Sequence, residues 1–122
     1  MPSKLLFGRR ILVVEDELFV LMMIEDMLAD LGCGSVVTAT TVEKALALID
    51  TQVFDVAMLD MNLNGDASHS VAEALISRRV PFVYSTGNTD PEMSVGYSDQ
   101  PVLKKPFKNQ ELVAILARLI SS

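Results

Sequence analysis

The residues in this chain best equipped for chemistry follow short apolar runs. Glu15-Asp16-Glu17 comes after Ile11–Val14, Asp60 after Val53–Leu59, Thr86-Gly87 after Pro81–Ser85, and Lys104-Lys105 after Pro101–Leu103. If the first and third runs are neighbouring strands, Glu15, Asp16 and Asp60 share one small pocket. Clustered carboxylates repel, and a hard divalent cation with oxygen ligands is the natural compensation. Mg2+ suits best, because it takes one or two carboxylates and keeps several waters. Lys105 adds a fixed positive charge, and Thr86 adds a hydroxyl able to donate to an anionic oxygen. Such a set lets a carboxylate oxygen attack phosphorus while metal, ammonium and hydroxyl hold the developing charge. Singly, each residue has a plainer reading. A strand-end Asp caps a helix, Thr86-Gly87 makes a turn, and Lys105-Pro106 is loop. Their coincidence at four strand ends argues for a site.

The elements that must position these groups alternate. Between the apolar runs (Val36–Ala39 is another) lie stretches with helical spacing. Leu18, Leu21, Met22, Ile24, Met27, Leu28 and Leu31 mark the first, stopped by Gly32 and Gly34. Ala45, Leu46, Leu48 and Ile49 mark the second, opened by a capping box at Thr40-x-x-Glu43, and Val71, Ala74, Leu75 and Ile76 the third, opened by Ser70-x-x-Glu73. Leu112, Val113, Ile115, Leu116, Leu119 and Ile120 mark the last. Strands apolar on both sides imply a parallel sheet covered on both faces. The expectation is an α/β fold with a five-stranded parallel sheet. The fourth helix is short or replaced by a loop, because Gly87 to Gln100 has little apolar spacing and at most a turn or two around Pro91–Val95. In such sheets ligands bind beyond the carboxyl ends of the strands, near the point where strand order reverses.

Composition narrows the classes. The 122 residues suit one domain, 1–122, and half of them are apolar, enough for a core. A net charge of −6 with no basic run argues against nucleic acid, whose binding draws on neutralised phosphates. A lone cysteine, Cys33, excludes an intramolecular disulfide and fits a reducing compartment. No secretory signal pattern and no apolar stretch of membrane-spanning length is present. A cytoplasmic protein is the expectation. His69, in a polar loop before the third helix, and Cys33, at a helix end, read as structural or surface residues.

The chain resembles the receiver domain of two-component response regulators from about Arg9 to Ser121. The resemblance is carried by Ile11-Leu12-Val13-Val14-Glu15-Asp16-Glu17, Leu59-Asp60-Met61-Asn62-Leu63-x-Gly65, Ser85-Thr86-Gly87 and Lys105-Pro106-Phe107. It implies the flavodoxin-like (βα)5 receiver fold, with Asp60 as phosphoacceptor. Asp16 would be a direct Mg2+ ligand, Glu15 would act through water, and Asn62 would offer its backbone carbonyl. Thr86 would be the switch hydroxyl and Lys105 the phosphate-binding lysine, with a cis Lys105-Pro106 bond. Val102 stands where the family often has an aromatic switch residue. Tyr84-Ser85-Thr86-Gly87-Asn88-Thr89 is similar to the F-A-T-G-x-Y stretch of a single-domain subclass, without its final tyrosine.

The resemblance implies a phosphorylation switch that takes its phosphoryl group from a histidine kinase or phosphotransfer protein. It catalyses no reaction beyond its own phosphorylation and dephosphorylation. With no output domain in the sequence, and unless it was cut from a longer protein, it is expected to act through a downstream protein target or by draining a kinase, as a monomer or weak dimer. The alternative is a pseudo-receiver, a binding module that does not use phosphate. A haloacid-dehalogenase-like enzyme would want Asp where Asn62 stands. A flavin-binding protein would want a phosphate loop where Glu15-Asp16-Glu17 stands.

Overall fold

The computed structural model describes residues 8–63, 66–86, 101–104 and 107–121, with backbone alone at 62, 63, 66, 67 and 121. In chain order the elements are β1 (Arg10–Val14), α1 (Leu18–Asp30), β2 (Ser35–Ala39), α2 (Val42–Thr51), β3 (Val56–Asp60), β4 (Asn62–Leu63), β5 (Asp66–Ala67), α3 (His69–Ser77), β6 (Phe82–Thr86), β7 (Val102–Lys104) and α4 (Asn109–Ser121). Five strands form one sheet in the order β2-β1-β3-β6-β7, every neighbouring pair parallel. This is the doubly wound order of the flavodoxin-like folds, and its direction reverses between β1 and β3. The expected architecture is therefore present. The segment 87–100, expected to be loop, lies outside the described residues.

Successive strand residues point to opposite faces, so each strand supplies two cores. Ile11, Val13, Met58, Val83 and Leu103 meet Leu21, Ile24, Met27 and Leu28 of α1 and Leu112 and Leu116 of α4. Leu12, Val14, Ala57, Leu59, Phe82 and Tyr84 meet Ala45 and Ile49 of α2 and Val71, Ala72 and Leu75 of α3. Burying each large aliphatic side chain contributes about 1.5–3 kcal/mol. The central strand β3 is buried at every position, which explains its unbroken apolar run. Phe82 and Tyr84 pack edge to face with ring centres 5.4 Å apart.

Local details depart from the sequence reading. The third strand begins at Val56, not Val53, which is 78% exposed. Residues 52–55 instead close the amino end of the sheet around Arg10. Asp55 accepts from the Arg10 amide at 2.8 Å, Val53 and Gln52 accept from its guanidinium, and that group lies 5.4 Å from the Phe54 ring centre. The cap of α2 is Thr41 rather than Thr40, with Oγ1 accepting from Lys44 N at 3.1 Å. His69 opens α3 instead of preceding it, and Ser68 rather than Ser70 stands at its cap. Leu18 and Met22, expected on the inner stripe of α1, are exposed at 65% and 58%. In the first two turns of α1, Leu21 and Ile24 are buried in the core and Val20 packs against it. The short hairpin β4–β5 had no sequence signal, because two-residue strands show no periodicity.

Glycine at the end of α1 does what the sequence suggested. Gly32 takes φ +84°, its N–H donates to Ala29 O at 3.0 Å, and Cys33 N–H donates to Leu28 O at 3.1 Å, completing a Schellman motif. The nearby Cys33 thiol is pushed above its ordinary pKa by burial, and Asp55 adds to the effect. Helix α3 ends with the same pair of bonds, Arg79 N–H to Ile76 O at 3.0 Å and Val80 N–H to Leu75 O at 2.9 Å. Here the left-handed position, φ +59°, is filled by Arg79. A side chain there costs about 1–2 kcal/mol, offset in part because glycine has more freedom to lose on folding. Arg79→Gly is accordingly predicted to stabilise the fold by about 0.5–1 kcal/mol. A urea unfolding midpoint that fails to rise would contradict that account of the α3 terminus.

Candidate acidic site at the carboxyl edge of the sheet

Register does most of the positioning. Val14 lies beside Leu59, Asp60 beside Ser85, Ser85 beside Leu103 and Thr86 beside Lys104. The carboxyl ends of β1, β3, β6 and β7 therefore finish along one edge. Glu15 continues the ladder past β1, donating from its amide to Ala39 O of β2 at 3.0 Å. Its Oε2 accepts from the Glu17 amide at 3.2 Å, which holds the turn into α1. Beyond Asp60, the Met61 amide donates to Ser85 O at 3.1 Å, so the chain leaving β3 stays tied to β6.

Glu15, Asp16 and Asp60 each bring a carboxylate oxygen within 4.8 Å of the others. Glu15 is 1% exposed and Asp60 5%, while Asp16 is half-buried and opens the cluster to solvent. This is the pocket the sequence implied, and it lies at the β1–β3 switch point. Thr86 ends the next strand and is buried. Lys105 and its bond to Pro106 lie outside the described residues, as do Gly65 and Gly87. The backbone of Asn62 is described, in β4 directly after the Asp60-Met61 step. Val102 is exposed on β7 and registers with Tyr84, the buried aromatic two residues before Thr86. His69 is exposed at the start of α3 and is not among the clustered acids.

The donor set fits Mg2+. All the clustered ligands are hard oxygens, and one side is left to water. One oxygen from each of the three carboxylates lies within 4.8 Å of the others, close enough for them to share a single ion. One residue important to this edge escaped the sequence reading. Ser68, buried at the start of α3, donates from Oγ to Met61 O at 3.1 Å. Its distance from Asp60 in the chain gave no signal.

Fold order and acidic pocket together define a class. The chain belongs to the response regulator receiver domain family, whose pattern it matches over residues 11–117. Among solved structures it is similar to SdrG from Sphingomonas melonis Fr1, with 42% identity, a TM-score of 0.83, and coverage of 97% of this chain and 99% of that one. A structure described as the BeF3-activated conformation of SdrG gives 43% identity, a TM-score of 0.79, and 91% and 95% coverage. The receiver domain of the sensor histidine kinase PA1611 from Pseudomonas aeruginosa PAO1, with magnesium coordinated in its active site cleft, gives 30% identity and a TM-score of 0.83 over 94% and 99%. Comparison with curated protein sequences gives no match.

The cluster has an energetic signature of its own. Two unit charges at 4.8 Å repel by about 3 kcal/mol at an effective dielectric near 20, less where water reaches them. In metal-free buffer, Asp60→Asn is predicted to raise the unfolding free energy by about 1–2 kcal/mol. Equal stability of the two proteins in chelator would show that the native state holds these acids without repulsion.

Proposed function

We propose that the protein is a phosphorylation switch in which Asp60 accepts a phosphoryl group from the phosphohistidine of a histidine kinase or phosphotransfer protein. The observation that supports this best is the convergence of Asp60 with Glu15 and Asp16 at the switch point of a receiver fold. A carboxylate buried beside two others gains most from a ligand that brings positive charge, and Mg2+ held by these acids would supply that charge to an incoming phosphoryl group.

In this reading Asp16 and Asp60 hold Mg2+ directly, Glu15 holds it through water, and Asn62 contributes its backbone carbonyl. Bound there, Mg2+ supplies positive charge against the carboxylates and the phosphoryl oxygens. An Asp60 oxygen attacks phosphorus in line with the donor's P–N bond. The O–P bond forms as the P–N bond breaks, and the imidazole nitrogen keeps the electron pair and takes a proton from water. The Thr86 hydroxyl donates to a phosphoryl oxygen, and the Lys105 ammonium neutralises another. Asp60 thereby exchanges one negative charge for the nearly two of an acyl phosphate. Thr86 and Lys105 follow the new oxygens and shift the surface beside β6 and β7, which a downstream protein reads. Val102 leaves no aromatic ring to rotate behind Thr86. The domain acts on no substrate other than its own phosphoryl group, works as a monomer or weak dimer, and belongs in the cytoplasm. Among the described residues no helix is long and apolar enough to cross a membrane.

Radiolabelled phosphate from a cognate kinase tests the assignment. Asp60→Asn, nearly isosteric, should abolish labelling while the fold persists; a labelled variant would move the acceptor elsewhere. Asp16→Asn should weaken Mg2+ binding more than Glu15→Gln, and the opposite order in a titration would exchange their roles. Thr86→Ala should still take phosphate at Asp60 yet lose the phosphate-dependent gain in affinity for the target. Retention of that gain would exclude the hydroxyl as the transmitter.

A further inference from the structure

The cap of α3 does not behave as a cap. Ser68 is 1% exposed at the cap position, where a serine oxygen ordinarily accepts from an amide in the first helical turn. Its side chain makes no such bond; its Oγ donates to the Met61 carbonyl at 3.1 Å, and only its backbone oxygen serves the helix, accepting from Ala72 N at 3.0 Å. Met61 is the single residue between Asp60 and Asn62. Its amide already donates to Ser85 O at 3.1 Å, so both of its backbone groups are held. A peptide unit is planar. The bond to Ser85 therefore fixes the plane joining Asp60 to Met61, and the bond from Ser68 fixes the plane joining Met61 to Asn62. The pairs Asn62–Ala67 and Leu63–Asp66 form the β4–β5 ladder, and the Ser68–Met61 bond closes its base.

We infer that Ser68 is a positioning residue for the acceptor site, its hydroxyl fixing the Met61–Asn62 peptide and with it the start of the Asn62–Leu63 unit, whose Asn62 carbonyl is offered to Mg2+. The inference rests on the metal role given to Asn62 under the proposed function. Mg2+ tolerates little departure from octahedral geometry, so freeing the peptide that leads into the ligand's own lowers affinity without removing any ligand. Groups that orient a metal's ligands characteristically change affinity about 10–100-fold when removed.

The test uses the whole chain and Mg2+ alone, titrated against the amide resonances of Glu15, Asp60 and Met61. Ser68→Ala should raise the Mg2+ dissociation constant about tenfold and speed amide exchange at Met61 and Asn62. Asp55→Ala, which removes the acceptor of the Arg10 amide at the opposite, amino edge of the sheet and so weakens the fold away from the acids, should leave the constant within about twofold. Ser68→Cys keeps the volume with a weak donor and should fall between wild type and Ser68→Ala; it also stands in if the alanine variant does not fold. Mg2+ binding by Ser68→Ala or Ser68→Cys indistinguishable from wild type would overturn the positioning role. A matching loss in Asp55→Ala would overturn it too, because affinity would then be following global stability. If the wild-type chain itself takes no Mg2+, the proposed function fails and this inference falls with it, a result distinct from failure of the variants alone.

Discussion

Everything at the functional edge depends on the parallel pairing of β1 with β3. The register that sets Val14 beside Leu59 also sends Glu15, Asp16 and Asp60 into one volume where they repel. Neither strand could hold that position alone. The opposing force comes from the layers behind it, since Ile11, Val13 and Met58 are locked under α1 and α4 while Leu12, Val14, Ala57 and Leu59 are locked under α2 and α3. Apolar burial on two faces thus fixes a like-charge contact at the end of the same strands. The site is a place where core stability is exchanged for chemical readiness.

Much of this was legible in the sequence for a simple reason. Buried parallel strands are apolar without alternation, so Ile11–Val14 and Val36–Ala39 announce themselves, and polar residues straight after such runs must lie at the sheet edge. Asp60 and the Glu15-Asp16 pair could therefore be assigned to one pocket before any coordinates. Periodicity was weaker where tertiary contacts chose between equal local signals. Thr40 and Thr41 offer the same cap, and so do Ser68 and Ser70; burial of Ala45 and Ile49 in one case, and a bond to Met61 in the other, made the choice. The apolar run through Val53 and Phe54 hid the strand boundary, because the Arg10–Asp55 closure that sets it joins residues far apart in the chain. Ser68 shows the limit most plainly, since nothing near it in sequence marks a buried hydroxyl aimed at another segment's carbonyl.

The two ends of the sheet divide the labour. At the amino edge, Arg10, Gln52, Val53 and Asp55 form a neutralised hydrogen-bonded closure with Phe54 beneath the guanidinium. At the carboxyl edge, Glu15, Asp16 and Asp60 collect instead. The same strands therefore end in a hydrogen-bonded seal on one side and a cluster of three acids on the other.

The β1–β3 pairing also has a consequence for the order in which the molecule assembles. These two strands are separated in the chain by α1, β2 and α2, so their contact is non-local and must wait for a long loop to close. The acids meet only when β3 arrives, and their repulsion is felt late on the folding path. A penalty confined to the native side of the barrier leaves the folding rate nearly untouched and appears as faster unfolding. Charge compensation in the cleft would then act as a brake on unfolding, lengthening the life of the folded domain rather than hastening its formation.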